Sequence, residues 1–261
     1  MIFLNALTNS MHELGIEVKH PKAVTAALTN YNKLIEFTSQ ELPNVAELAA
    51  GGNVKAACDA ITLTTQVDTL RFNGSITLAE EAITTAVLSN ADGYLRQCAD
   101  VVTGHALEIE RTIANMPTTR KDWMDFEVAS RSGYGSDLGR VLDSANSLVT
   151  YARRIVGTLL VPHKDRSGRI TSVACALFEP VEDLVFTEAA HAQHNLDTAI
   201  TLHQTATAEG VIRVAESKFE PVTLSPVTTA EGFSERQVLW RRAIGFAQSA
   251  NAVKEFERER A

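Results

Sequence analysis

A mainly α fold, an elongated multi-helix bundle with about six main helices, is what this sequence predicts. Three observations carry the prediction. Apolar residues recur at steps of three and four over most of the chain. Alanine, the strongest intrinsic helix former, occurs 35 times. Glycine (14) and proline (7) are sparse for 261 residues, so the chain has few places to turn.

The elements follow in order. Phe3, Leu7, Met11 and Leu14 form one stripe, and Gly15 is a natural stop. Pro21 suits the first turn of the next helix, whose stripe is Val24, Leu28, Tyr31 and Ile35. Pro43 and Gly51-Gly52 bracket a short helical turn. Residues 53–71 carry two stripes, Val54, Cys58 and Ile61 on one and Leu63, Val67 and Leu70 on the other. Asn73-Gly74 breaks that helix, and Thr77 with Glu80 has the spacing of a capping box. The following stripe runs through Leu95, Cys98, Val102, Ala106, Ile109 and Ile113. A continuous helix over 78–115 would be about 57 Å long, against a diameter near 47 Å for a compact chain of this size. A break at Ser89–Gly93 resolves the conflict.

Pro117 ends this stretch, and 123–129 reads as a short helix. The glycines of Gly133-Tyr134-Gly135 make a loop, and Asp137 is placed to cap a helix carrying Leu138, Leu142, Ala145, Val149, Ala152, Val156 and Leu159. Residues 159–178 read as a small β-hairpin, because Leu159–Val161 and Ile170–Phe178 flank a turn-rich segment. Helix then runs from Glu179-Pro180 to about 218, with a stutter at Gly210. Residues 219–232, with Pro221, Pro226 and Gly232, read as an extended arm. Ser234 and Gln237 resemble a second capping box, and 233–261 is a C-terminal helix suited to packing on a partner. No linker divides the chain cleanly, so 1–261 is expected to be one domain.

Threonine is unusually common at 26 residues. In helices these residues are expected to cap, or to bond back to the preceding turn. Hydrophobic residues make up 45% and charged residues 21%, which excludes a disordered chain. A net charge of -8 excludes a generally polycationic nucleic-acid binder. Cys58, Cys98 and Cys175 are odd in number and lack a Cys-x-x-Cys, so they read as small buried hydrophobes in a reducing compartment. The N-terminus lacks the pattern of a signal peptide, and no apolar run approaches the ~20 residues of a membrane span. The expected location is the cytoplasm, or a virion assembled there.

Chemistry-bearing motifs are few. Glu188 and His191 share a helix face, with His194 beside them, and such pairs build di-iron bundle sites. A polar helix face lined by His191, His194 and Asp197 is the simpler reading, so no metal and no cofactor is expected. His105 and His203 stand alone on helices. There is no Gly-x-Ser-x-Gly, no Walker loop and no dinucleotide fingerprint. His163, Lys164, Arg166 and Arg169 cluster on one loop that suits an acidic partner or phosphates.

The expected function is therefore a non-catalytic helical structural protein that forms a homo-oligomer or larger assembly, such as a bacteriophage head–tail connector or neck subunit. Its partners are further copies and other assembly proteins, with neither membrane nor nucleic acid. The partner-contact candidates are His163, Lys164, Arg166, Arg169, Pro221, Pro226 and Phe256. One alternative is a metal-dependent helical-bundle enzyme using Glu188, His191 and His194. A second is a regulatory module binding nucleic acid or an acidic partner through 163–169.

Overall fold

The computed structural model describes residues 1–116, 125–161, 175–180, 208–216 and 222–242. Over those residues the protein is mainly helical with one short antiparallel β-pair, as the stripes predict. Among them no helix is long and apolar enough to cross a membrane. By its internal packing the chain divides into two compact units. Unit 1 is Met1–Asn5 with Lys19–Asn90, and unit 2 is Ala6–Val18 with Ala91–Ala261.

The first helix, α1 (Ile2–Glu13), starts in unit 1 and continues in unit 2. Leu7, Met11 and Leu14 are buried as expected, joined by Leu4 in place of Phe3. The helix ends at Gly15, whose φ of 74° is open to glycine at little cost. The Gly15 N–H donates to the His12 carbonyl and the Ile16 N–H to the Met11 carbonyl, which together form a Schellman stop.

Unit 1 is built on α2 (Lys22–Ser39), α3 (Val45–Ala50), α4 (Val54–Phe72) and α5 (Ser75–Ser89). Helix α2 packs on α5, and both touch α4. Asn44 and Asn53 cap α3 and α4, each side-chain oxygen accepting from backbone N–H groups of the first turn. The expected Thr77–Glu80 capping box does not form, because α5 begins two residues earlier, behind Gly74. Glu80 instead accepts from the Tyr31 hydroxyl at 3.3 Å and faces the Met1 ammonium at 3.4 Å. Burial, and then the Glu80 charge, raise the Tyr31 pKa.

The long helix breaks where expected. Helix α5 stops at Ser89, Asn90 leaves helical geometry with ψ 26°, and α6 (Ala91–Ala114) starts afresh.

Unit 2 is organised around α6 packed on α8 (Gly135–Thr150). Before α8 lies α7 (Phe126–Arg131), capped by Asp125. The glycine loop between them is a tight turn: a Cβ at Gly135 would fall 2.7 Å from the Ser130 hydroxyl oxygen. Asp137 lies within the first turn of α8, not at its cap, and pairs with Arg140. Helix α8 runs into a π-helical turn, Tyr151–Val156, and then α9 (Gly157–Leu160). The wider π turn turns Tyr151, Ala152, Ile155 and Val156 all inward, while Arg153 and Arg154 stay exposed. Arg154 donates to both Glu13 oxygens, at 2.9 and 2.7 Å, tying this turn to α1 within the unit.

The small β-element is present with a different partner. Strand β1 (Phe178–Pro180) pairs antiparallel with β2 (Val222–Leu224), Phe178 opposite Leu224. Leu159 and Leu160 are helical, since the apolar stripe of α8 carries through them. Strand β2 lies inside the stretch expected to be an extended arm. Ser225 and Val227 continue the contact, donating to the Leu177 and Ala176 carbonyls. Helix α10 (Ala208–Ala215) contains Gly210 without a break and packs on α8 and β2. A last helix, α11, covers 230–242. It begins four residues before the expected Ser234 cap. Thr229 accepts from the Gly232 N–H, and Asp92 of α6 accepts from the Ala230 N–H at 2.6 Å.

Candidate interaction surface

Helix α4 brings together the features that set unit 1 apart. Its two stripes behave differently. Ala57, Ala60 and Val67 are buried, with Leu63 and Leu70 partly covered. The opposite face carries Val54, Cys58, Ile61, Thr65, Thr69 and Phe72, all exposed, at steps of 4, 3, 4, 4 and 3 along the sequence. Val54 is 68% exposed, Ile61 52% and Phe72 85%. Cys58 is thus a surface thiol, a correction to the expectation that all three cysteines are buried.

The threonines deepen this apolar character. The hydroxyls of Thr62, Thr65 and Thr69 donate to the carbonyls of Cys58, Ile61 and Thr65, at 3.1, 2.9 and 2.7 Å. Each hydroxyl is thereby turned back along the helix. The exposed face shows methyl groups where the sequence shows polar residues. No acidic or basic residue occurs between Asp59 and Asp68. At the C-terminal end, Arg71 donates to the Thr38 carbonyl and lies 3.9 Å from Asp68, so its charge is engaged away from the stripe.

Beside the stripe lies an open groove of about 350 Å³ lined by Phe37, Thr65, Gln66, Thr69 and Leu70. It runs between α2 and α4, and no charged side chain lines it. The groove and the exposed ring of Phe72 lie within one turn of each other on α4.

Unit 2 holds a contrasting cluster built on the buried polar groups of Arg236, Tyr151 and Trp240. Arg236 is 9% exposed. It donates to the Ser225 carbonyl, and at 3.3 Å to both the Ser225 hydroxyl and Glu179. Burial lowers its pKa, and Glu179 opposes that shift. The Tyr151 hydroxyl donates to the Val227 carbonyl, and the Trp240 indole N–H to the Phe178 carbonyl at 3.0 Å. Burial raises the Tyr151 pKa and pushes the Cys98 and Cys175 thiols up to about 12. These thiols stay protonated and unreactive at neutral pH. The arrangement anchors the 225–240 segment. His105 faces Ser144 at 3.2 Å between α6 and α8, and burial lowers its pKa.

Of the site residues expected from sequence, Pro226 alone falls within the described residues. It is half-buried between Ser225 and Val227, both bonded to their own chain. Glu188, His191, His194, His163, Lys164, Arg166, Arg169, Pro221 and Phe256 lie outside the described residues. Among the described residues no group of three or more His, Cys, Asp or Glu could hold a metal ion. Sequence reasoning saw the Val54–Cys58–Ile61 stripe and missed Phe37, Thr65, Thr69 and Phe72. The uncharged run from Ala60 to Val67 was the available signal.

No protein-family model matches this chain, and neither a curated protein nor a solved structure does.

Proposed function

We propose that this chain is a helical structural protein that works by self-association. The observation that supports the reading is the exposed apolar face of α4. A helix on the surface of a soluble unit ordinarily pairs one apolar stripe with a polar opposite face. Helix α4 has apolar groups on both faces, and threonine hydroxyls folded back where polarity would be expected. A contiguous face of this kind marks an interaction site. Its residues offer no acid, base or nucleophile besides the Cys58 thiol, so association is the chemistry it supports.

The test is the mass of the full chain across a wide concentration range. Self-association predicts a mass that rises to a multiple of 28.3 kDa. A bacteriophage connector or neck subunit adds the requirement of a closed ring of fixed mass. A mass of one chain at every concentration contradicts the proposal.

A further inference from the structure

We infer that the Asn73-Gly74 pair between α4 and α5 is a self-modification site. Asn73 is converted there to aspartate and isoaspartate without an enzyme, and Ser75 sets the pace by holding the Asn73 side chain.

The site begins with the sequence. Of the asparagines in the chain, Asn73 alone is followed by glycine. The attacking atom is the backbone nitrogen of the next residue, and glycine has no Cβ to crowd its approach. Asn44 and Asn53 are followed by valine, whose branched Cβ obstructs the same approach. Asn73 and Gly74 are both exposed, so water and hydroxide reach them. Gly74 sits at φ 83°, and nothing lies within 4 Å of where a Cβ would stand, so the turn is uncrowded. Among the described residues the Gly74 N–H has no hydrogen-bond acceptor, so its proton is open to solvent.

The reaction uses only this pair and water. The Gly74 N–H gives its proton to hydroxide, and the nitrogen's electron pair forms a bond to Asn73 Cγ. The Cγ–Nδ2 bond breaks, and ammonia leaves after taking a proton from water. Water then adds to either carbonyl carbon of the succinimide ring and breaks that carbon's bond to nitrogen. Opening at Cγ leaves aspartate at 73. Opening at the backbone carbonyl carbon leaves isoaspartate, with the chain running through Cγ. The net change is one water consumed and one ammonia released.

The folded turn restrains this chemistry. Ring closure needs Asn73 Cβ, Cα, the carbonyl carbon and the Gly74 nitrogen in one plane. The ψ of Asn73 is 4°, which sets the Gly74 nitrogen in the plane of the residue's own N–Cα bond instead. The Cα–carbonyl bond must turn before attack. Asn73 Oδ1 accepts from the Ser75 N–H at 3.0 Å and from the Ser75 hydroxyl at 2.5 Å, and both bonds resist that rotation. The Asn73 N–H donates to the Thr69 carbonyl at 3.0 Å, which fixes the other side of the residue to α4. Local opening of an exposed turn breaks the Ser75 contacts and frees the amide.

The two products differ in what they do to unit 1. Aspartate keeps an acceptor for both Ser75 donors. It also adds a negative charge ahead of the first turn of α5, which has no acidic residue and where the helix dipole favours one. Isoaspartate lengthens the backbone between α4 and α5 by one methylene and alters the turn.

Peptide mapping by tandem mass spectrometry tests the inference, on the full chain incubated at mildly alkaline pH with and without denaturant. Asn73 is expected to convert faster than every other asparagine in both conditions. Conversion in the folded chain is expected to be about tenfold slower than in denaturant, because attack waits for local opening. Ser75→Ala is expected to speed the folded reaction about fivefold, the equilibrium worth of one neutral hydrogen bond, and to leave the unfolded rate unchanged. Gly74→Ala is expected to slow the reaction in denaturant, where strain at a positive φ has no bearing. An Asn73 that lasts as long as the other exposed asparagines in the folded chain overturns the site. Folded and unfolded rates that agree, or a Ser75→Ala rate equal to the wild type, overturn the role given to Ser75.

Discussion

Among the described residues, unit 2 leaves three large apolar side chains exposed, Leu107, Val128 and Val238, whereas the smaller unit 1 leaves six. In unit 2, Tyr94, Tyr151 and Trp240 are buried among Leu95, Leu148 and Ile155. The polar ends of Tyr151 and Trp240 both reach backbone carbonyls. In unit 1 the buried set is smaller in volume: Leu4, Val24, Ala57, Ala60, Val67, Ile83 and Val87, with no aromatic. Ile2, Val54, Ile61, Phe72, Leu78 and Leu88 of the same unit are exposed. Stability scales with the apolar area removed from water. By that measure unit 1 has the smaller buried core.

The largest effect is expected in unit 2. Trp240→Ala removes a filled core position and its hydrogen bond to Phe178, and is expected to cost about 3–5 kcal/mol in denaturant unfolding. A loss below about 1 kcal/mol would show that this core is not the stable half. Arg236→Met keeps the aliphatic bulk and removes the donors to Ser225 and Glu179. It leaves a carbonyl to be satisfied, so a loss of about 2 kcal/mol is expected. Glu179 is half exposed, and the pair's Coulomb energy is the smaller part of that figure.

A pH-dependent contribution comes next. Burial lowers the His105 pKa from 6.5, so the unfolded chain takes up its proton first as pH falls. His105 therefore contributes stability that is present above about pH 6.5 and is lost as pH falls toward its folded pKa. Denaturant midpoints at pH 7.5 and pH 5 are expected to differ less in His105→Gln than in the wild type. An equal difference removes His105 from the account. The smallest effect is expected at the exposed stripe. Ile61→Thr is expected to change the stability of the dilute protein by no more than about 0.5 kcal/mol. A loss above 2 kcal/mol would mean that the α4 face is already covered within the chain.

Much of the fold was legible in the sequence, because its helices announce themselves by spacing. Most of the expected stripes of α1, α6 and α8 are buried, with Val141 and Leu148 taking the places of Leu142 and Val149 on α8, and the break at Asn90 follows from the length a helix can have in a small protein. What spacing could not decide is which of two stripes on one helix is buried. On α4 the inner face uses Ala57 and Ala60, whose small side chains let the neighbouring helices approach, and alanine carries little hydrophobic signal. The β-pair joins Phe178 to Leu224, and a local reading seeks a partner nearby. The Thr77–Glu80 spacing matched a cap, yet Glu80 is held by Tyr31 from another helix. The π turn at Tyr151–Val156 left no mark in a stripe that already stepped regularly. The groove was illegible for the same reason as the β-pair, since Phe37 and Thr65 meet only after α2 and α4 pack.

Amide hydrogen exchange followed as a function of protein concentration tests most directly whether unit 1 is completed by another copy. Binding to the folded form stabilises what it touches by mass action, and local opening reports that stability segment by segment. Exchange over Val54–Phe72 is expected to slow as concentration rises, while exchange over Ala91–Ala114 stays constant. Exchange over Val54–Phe72 that is the same in dilute and concentrated protein would contradict the account.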